Sequence, residues 1–267
     1  MTRILVVPDI RHDLPWLGRV LDAEREQYDR LVLLGDYFDA HDPECTAKKV
    51  ARCLLELPAE VERQCGRPIP VTFLVGNHDY QYAMLRHTRH PPAYAFAVPG
   101  GCSGYSKTRA TDIRHVLDGT DFWDECQLAT EAGGYLLSHA GVVQALWPWG
   151  QADGSAQDEY LLRELPLFLS QMKEAWVDRF AWRDQPAFRI GRARGGSSVT
   201  GPGLLRCDWN EEFEDALPLP QIVGHTASRS GARQKGRSWC IDGHQTTYAV
   251  IHGGRVGAPG EVEIKNA

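Results

Sequence analysis

The sequence has no cysteines at CxxC spacing, no apolar run of membrane-spanning length and no excess of positive charge, and each absence narrows what the chain can be. Its seven cysteines, Cys45, Cys53, Cys65, Cys102, Cys126, Cys207 and Cys240, are scattered and odd in number. They therefore indicate neither a disulfide framework nor a zinc knuckle, and point to a reducing compartment, the cytoplasm. No stretch approaches the roughly 20 apolar residues that cross a bilayer, and the opening MTRILVVPD reads as a buried strand, not a signal peptide. With 29 basic against 35 acidic residues and a formal charge of -6, the chain carries no overall electrostatic footprint for nucleic acid or an anionic membrane surface. Its 267 residues, 43% hydrophobic and 24% charged, are enough to bury a core unaided, and one α/β domain over 1–267 is expected.

What is present is a repeated theme. Ile4 to Val7 is a short apolar run closed by Pro8-Asp9, and Leu14 to Tyr28 then carries apolar residues at helical spacing. Leu31 to Leu34 ends in Gly35-Asp36 and is followed by a helical pattern from Thr46 to Cys65. Pro70 to Val75 ends in Gly76-Asn77-His78-Asp79, with Tyr80 to His87 starting another helix. Apolar strands alternating with amphipathic helices predict a mostly parallel sheet whose ligand site lies beyond the carboxyl ends of its strands, so Asp9, Asp36 and Asn77 should share one edge. Residues 88–120, rich in Pro, Gly and Ser, are expected as a long loop or cap that shapes the entrance.

Further on, Tyr135 to Leu137 reads as a strand delivering His139-Ala140-Gly141, Asp158 to Phe180 as a long helix, and Gly191 to Gly203 as too Gly-rich for either element. Gln221 to Val223 precedes Gly224-His225-Thr226. With Trp239 to Ile241, Tyr248 to His252 and Val262 to Ile264 it makes the C-terminal third look like a second sheet packed on the first.

Five polar clusters thus follow five apolar strands, and together they offer two aspartates, one asparagine and two or three histidines. That is a metal-site inventory. Imidazole with carboxylate suits Mn, Fe, Zn or Ni, whereas Mg or Ca sites are nearly all oxygen. Each of Asp9, Asp36 and Asn77 taken alone could equally be a helix N-cap, and His139 and His225 singly could be structural. The ordered set argues against capping. Trp147, Trp149, Trp176 and Trp182 suit core packing or a nucleotide-stacking cleft, and His41, His87, His90, His115, His244 and His252 read as surface or satisfied histidines.

Asp9-Ile10, Gly35-Asp36-Tyr37-Phe38-Asp39, Gly76-Asn77-His78-Asp79, His139-Ala140-Gly141 and Gly224-His225-Thr226 resemble, in order and spacing, the motifs of the calcineurin-like metallophosphoesterases. The single histidine in Gly224-His225-Thr226-Ala227, and the stretch from Arg194 to Trp209, are most similar to the branch of Ser/Thr protein phosphatases and diadenosine-polyphosphate hydrolases. The resemblance implies a four-layer α/β/β/α sandwich of two mixed sheets. It implies one metal on Asp36, Asn77, His139 and His225 and another on Asp9 and Asp36, so one or two divalent ions per chain, manganese foremost. It further implies hydrolysis of a phosphate ester on a phosphoprotein or nucleotide by a metal-activated hydroxide. His78 would protonate the leaving oxygen, Asp39 would orient it, and Arg192 or Arg194 would hold the phosphate.

Three departures stand out. Pro8 replaces a glycine, and Ala40-His41 follows Asp39 where the phosphatase branch has an arginine. Arg11 stands where the family has a metal-binding histidine, and a guanidinium stays charged and cannot ligate. Three readings follow: His12 supplies the missing imidazole, Arg11 clamps phosphate in a one-metal site, or the first metal is lost together with activity. The last would leave a non-catalytic phosphate- or metal-binding module. A phosphodiesterase or nuclease of the same fold is a further alternative, which the acidic balance disfavours for nucleic acid.

Overall fold

In the computed structural model, residues 1–40, 45–84, 102–147, 157–179 and 185–267 are described. Strand β1 (Arg3–Val7) leads to α1 (Leu14–Ala23), and β2 (Arg30–Leu33) to α2 (Ala47–Cys65). β3 (Val71–Phe73) runs into α3 (Asn77–Ala83). Then come α4 (Lys107–Leu117), α5 (Phe122–Glu125), β4 (Ala129–Ala132), β5 (Tyr135–Ser138) and α6 (Gln157–Val177). The chain finishes with β6 (Gln221–Val223), β7 (Arg233–Lys235), β8 (Ser238–Cys240), β9 (Thr247–His252) and β10 (Glu261–Asn266).

The strands form two mixed five-stranded sheets, in the orders β10-β9-β1-β2-β3 and β4-β5-β6-β8-β7. β1, β2 and β3 are parallel, with Ile4 opposite Arg30 and Leu31 opposite Val71, and β5, β6 and β8 are parallel in the second sheet. The period-two alternation of a strand sorts its side chains into two cores. Leu5, Val7, Leu31 and Leu33 meet Trp16 and Leu17 of α1 and Val50 and Leu54 of α2. Ile4, Val6 and Val32 point the other way, onto Leu137 of β5 and Ile222 of β6 between the sheets. With α6 carrying Leu161, Leu165 and Phe168 into the outer core, the α/β/β/α layering is as expected.

The sequence reading needs four corrections. The C-terminal third is split between the sheets: β9 pairs antiparallel with β1, and β10 with β9, so both return to the first sheet. The helix expected at Tyr80 to His87 starts earlier, at Asn77, because the Asp79 carboxylate accepts the N–H of Gly76 at 2.9 Å and closes its first turn. The expected loop at 88–120 lies outside the described residues over 88–101, while its last part is helix α4, capped by the Ser106 hydroxyl on Arg109 N. α1 stops at Ala23 instead of Tyr28. No helix among the described residues is long and apolar enough to cross a membrane.

Candidate metal centre

Five strand ends bring the site together. Asp9 follows β1, Asp36 follows β2, Asn77 follows β3, His139 follows β5 and His225 follows β6. The turns are tight: Asp36 and His225 have φ of 54° and 67°, a left-handed backbone that costs roughly 1–2 kcal/mol per non-glycine residue. Two glycines allow the close approach. A Cβ on Gly76 would lie 2.1 Å from Asp36 Oδ1, and one on Gly224 would lie 2.4 Å from Asp9 Oδ1. Asp79 sets the Asp36 turn by accepting the N–H of Asp36 at 2.6 Å and of Tyr37 at 2.8 Å.

Asp36, Asn77, His139 and His225 converge on one point. His139 Nε2 lies 3.0 Å from Asn77 Oδ1, 3.2 Å from His225 Nδ1 and 3.4 Å from Asp36 Oδ1. His139 Nδ1 faces the Leu34 carbonyl at 2.9 Å, a contact that places a proton on Nδ1 and, in the singly protonated ring a metal ligand needs, keeps Nε2 as the ligating atom. In that tautomer Nε2 faces the Asn77 and Asp36 oxygens, lone pair to lone pair, an arrangement that a shared cation relieves. Donors about 2.0–2.2 Å from one ion stand about 3 to 3.5 Å apart, which is the spacing of His139 Nε2 from the other three; with ligand atoms of Asp36, His139 and His225 all within 4.8 Å of one another, these residues fit a divalent metal. Burial, reinforced by His139, holds His225 well below the usual imidazole range, in the neutral form a ligand requires.

The other half of the expected centre is different. Arg11 places Nε and Nη2 on Asp9 Oδ2 at 3.3 and 3.2 Å, and Nη2 on Asp36 Oδ2 at 2.9 Å. Asp9 and Asp36 have no exposed side-chain surface, whereas Arg11 keeps 24% of its own. Asp9 Oδ1 is occupied by the N–H of His225 at 2.9 Å. Asp36 thus turns one oxygen to the metal cluster and the other to a guanidinium. A third carboxyl, Asp242, is buried beside them, its Oδ2 unpartnered among the described residues, and burial together with Asp9 pushes it up to about 8. His12 is turned away from this cluster: its Nδ1 meets the Cys45 carbonyl at 2.6 Å and its ring packs edge-on against Phe38.

His78 is tied to Asp36 through Oδ1, the oxygen that Arg11 does not hold. Its backbone N–H bonds Asp36 Oδ1 at 2.9 Å, and its Nδ1 lies 3.2 Å from Asp39 Oδ2. Burial opposes the imidazolium, but Asp36 and the hydrogen-bonded Asp39 outweigh it, so the net direction is upward. Asp39 is also held by Gln81, Tyr82 and Arg109, which fix its carboxylate and through it the ring of His78. Arg194 is paired with Asp208 at 2.8 Å, and Arg192 is exposed on the same short 3-10 turn, Arg192–Arg194. Trp147 and Trp176 are core residues, while Trp149 and Trp182 lie outside the described residues, as do His41, His87 and His90.

Sequence reasoning missed Asp242, Asp79 and Arg109. Asp242 follows strand β8 after one residue, Ile241, the same strand-then-acid signature that marked Asp9 after Pro8, and could have been found by it. Arg109 lies on a helix 70 positions from Asp39, with no local pattern to announce it.

No curated protein matches the chain. Among solved structures, the fold is similar to a cold-active protein-tyrosine phosphatase of a psychrophilic Shewanella species, with TM-score 0.59, 13% identity and coverage of 99% of this chain and 80% of that one. A second structure, of a cold-active protein tyrosine phosphatase at 1.1 Å, gives 0.53 and 14%, over 94% and 74%. At these identities the likeness is one of fold. The model of the calcineurin-like phosphoesterases matches residues 2–229, which takes in Asp9, Asp36, Asn77, His139 and His225. The chain is a member of the calcineurin-like phosphoesterase family, and with it a phosphoester hydrolase of a metal-dependent class.

Proposed function

We propose that the chain hydrolyses phosphate monoesters, on a phosphoprotein or a nucleotide polyphosphate, at a centre holding one divalent cation of manganese type. The observation that carries this is the seat of Arg11 on Asp9 and Asp36, next to a four-donor cluster of mixed imidazole, carboxylate and amide oxygen, which suits a first-row transition metal. A second ion would have to share two buried carboxylates with a permanent cation, and like charges at that range repel. His12, facing Cys45, does not replace the missing ligand.

A bound cation would supply charge neutralisation and activation of water; the rest falls to side chains of the chain. Arg11 Nη1 bonds nothing among the described residues and is left to donate to a phosphate oxygen, with Arg194 at the rim beside Asp208. Fixed guanidiniums favour the dianionic group with three non-bridging oxygens that a monoester presents over the monoanion with two that a diester presents. His78, its Nδ1 braced by Asp39, delivers a proton from Nε2 to the leaving oxygen. The seven free thiols, five of them buried, suit a reducing cytoplasm.

The test compares phenyl phosphate, p-nitrophenyl phosphate and bis-p-nitrophenyl phosphate on manganese-loaded wild type and His78→Ala. Monoester preference is expected, with kcat on phenyl phosphate falling about 10²- to 10⁴-fold in the variant. The fall on p-nitrophenyl phosphate, whose leaving oxygen hardly needs a proton, should be much smaller. Equal falls on both would remove the acid role of His78, and diester preference would turn the reading to a phosphodiesterase.

A further inference from the structure

Arg206 is a buried arginine, 9% exposed, whose guanidinium meets no carboxylate among the described residues. Two other deeply placed guanidiniums do, Arg11 on Asp9 and Asp36 and Arg179 on Asp124, while Arg30 is satisfied by the Glu131 carbonyl and the hydroxyls of Thr72 and Thr130. The side-chain partner of Arg206 is the Sγ of Cys102, 3.1 Å from Nη2. Cys102 donates to the Asn77 carbonyl at 3.1 Å and accepts from Asn77 Nδ2 at 3.1 Å. The sulfur is therefore a protonated thiol, a weak acceptor that leaves the charge of Arg206 unneutralised. A guanidinium stays charged at any accessible pH, and a buried charge without a partner is costly.

The place of this charge matters. One thiol separates it from Asn77, and the carbonyl of Leu204, two residues earlier, accepts the N–H of Ala140 at 3.0 Å, next to His139. Arg206 Nε and Nη1 have no partner among the described residues, and neither is among the fully buried unpartnered atoms, so both keep access to the space outside. We propose that Arg206 is the buried anion receptor of the site, its Nε and Nη1 binding non-bridging oxygens of the substrate phosphoryl group beside Asn77 and His139. This assignment rests on the phosphomonoesterase reading and names a residue that holds its substrate.

The experiment is calorimetric titration of manganese-loaded protein with inorganic phosphate, with kinetics on phenyl phosphate and a metal count, for wild type, Arg206→Met and Arg206→Lys. Methionine is apolar and keeps much of the length of the side chain. Its phosphate Kd and its KM should rise roughly 10- to 100-fold, the loss of one hydrogen bond to a charged group, with metal content unchanged. Lysine, a point charge without the fork, should recover part of the loss. Unchanged Kd and KM in folded Arg206→Met overturn the assignment, as does weakening that comes only with lost metal, which marks a structural role. Should Arg206→Met not fold, Arg206→Lys carries the test, and wild-type values in it overturn the assignment. A wild type that binds phosphate but turns over no ester would defeat the hydrolase reading alone.

Discussion

Replacing Arg11 by alanine takes the guanidinium away from two carboxylates with no exposed surface, Asp9 and Asp36. Removing one partner of a buried ion pair costs about 3–5 kcal/mol, because the remaining charge is left uncompensated. The lower end applies, since Arg11 keeps 24% of its side chain exposed and His139 and His78 also flank Asp36. About 3 kcal/mol in a chain of this size corresponds to a fall in Tm of about 6–12 °C. Differential scanning calorimetry in chelator at neutral pH measures it. Manganese should then rescue the variant more than the wild type, because a vacated place between Asp9 and Asp36 can take an ion; at a hundredfold over Kd each such site returns about 2.7 kcal/mol. A variant melting within about 2 °C of wild type in chelator, with no extra rescue, would refute the view that Arg11 is the cation these carboxylates are built around.

Other substitutions follow from the same geometry. Gly76→Ala puts a Cβ 2.1 Å from Asp36 Oδ1; a displacement of that carboxylate by about 1 Å should cut turnover about 10²-fold, while circular dichroism still reports a folded protein. Asp36→Asn should lower manganese affinity as well as kcat, read by equilibrium dialysis. Leu54→Ala, in the helix-facing core with no exposed surface, should cost about 2–5 kcal/mol in denaturant unfolding and leave kcat per folded molecule unchanged.

Much of this candidate site was legible in the sequence because each candidate ligand follows an apolar strand: the residue type and the strand end appear together in the chain, as at Val7-Pro8-Asp9 and Leu34-Gly35-Asp36. The Arg11 substitution was legible for the same reason, since it falls inside such a motif. Partners chosen by the three-dimensional fold were not. Strand periodicity marks Tyr248 to His252 as a strand but says nothing of its pairing with β1. Arg109 and Arg206 reach Asp39 and Cys102 across 70 and 104 positions, where spacing carries no information. The helix at Lys107–Leu117 was hidden by the Pro- and Gly-rich composition just before it.

The central claim, a phosphomonoesterase with one ion and a built-in guanidinium in place of a second, is tested most directly by titrating metal-stripped wild-type protein with manganese while following phenyl phosphate hydrolysis and bound metal together. Turnover should rise and level off at one ion per chain, with the electron paramagnetic resonance signal of an isolated manganese. A plateau at two ions with a coupled spectrum, or no turnover in folded, metal-loaded protein, would contradict it.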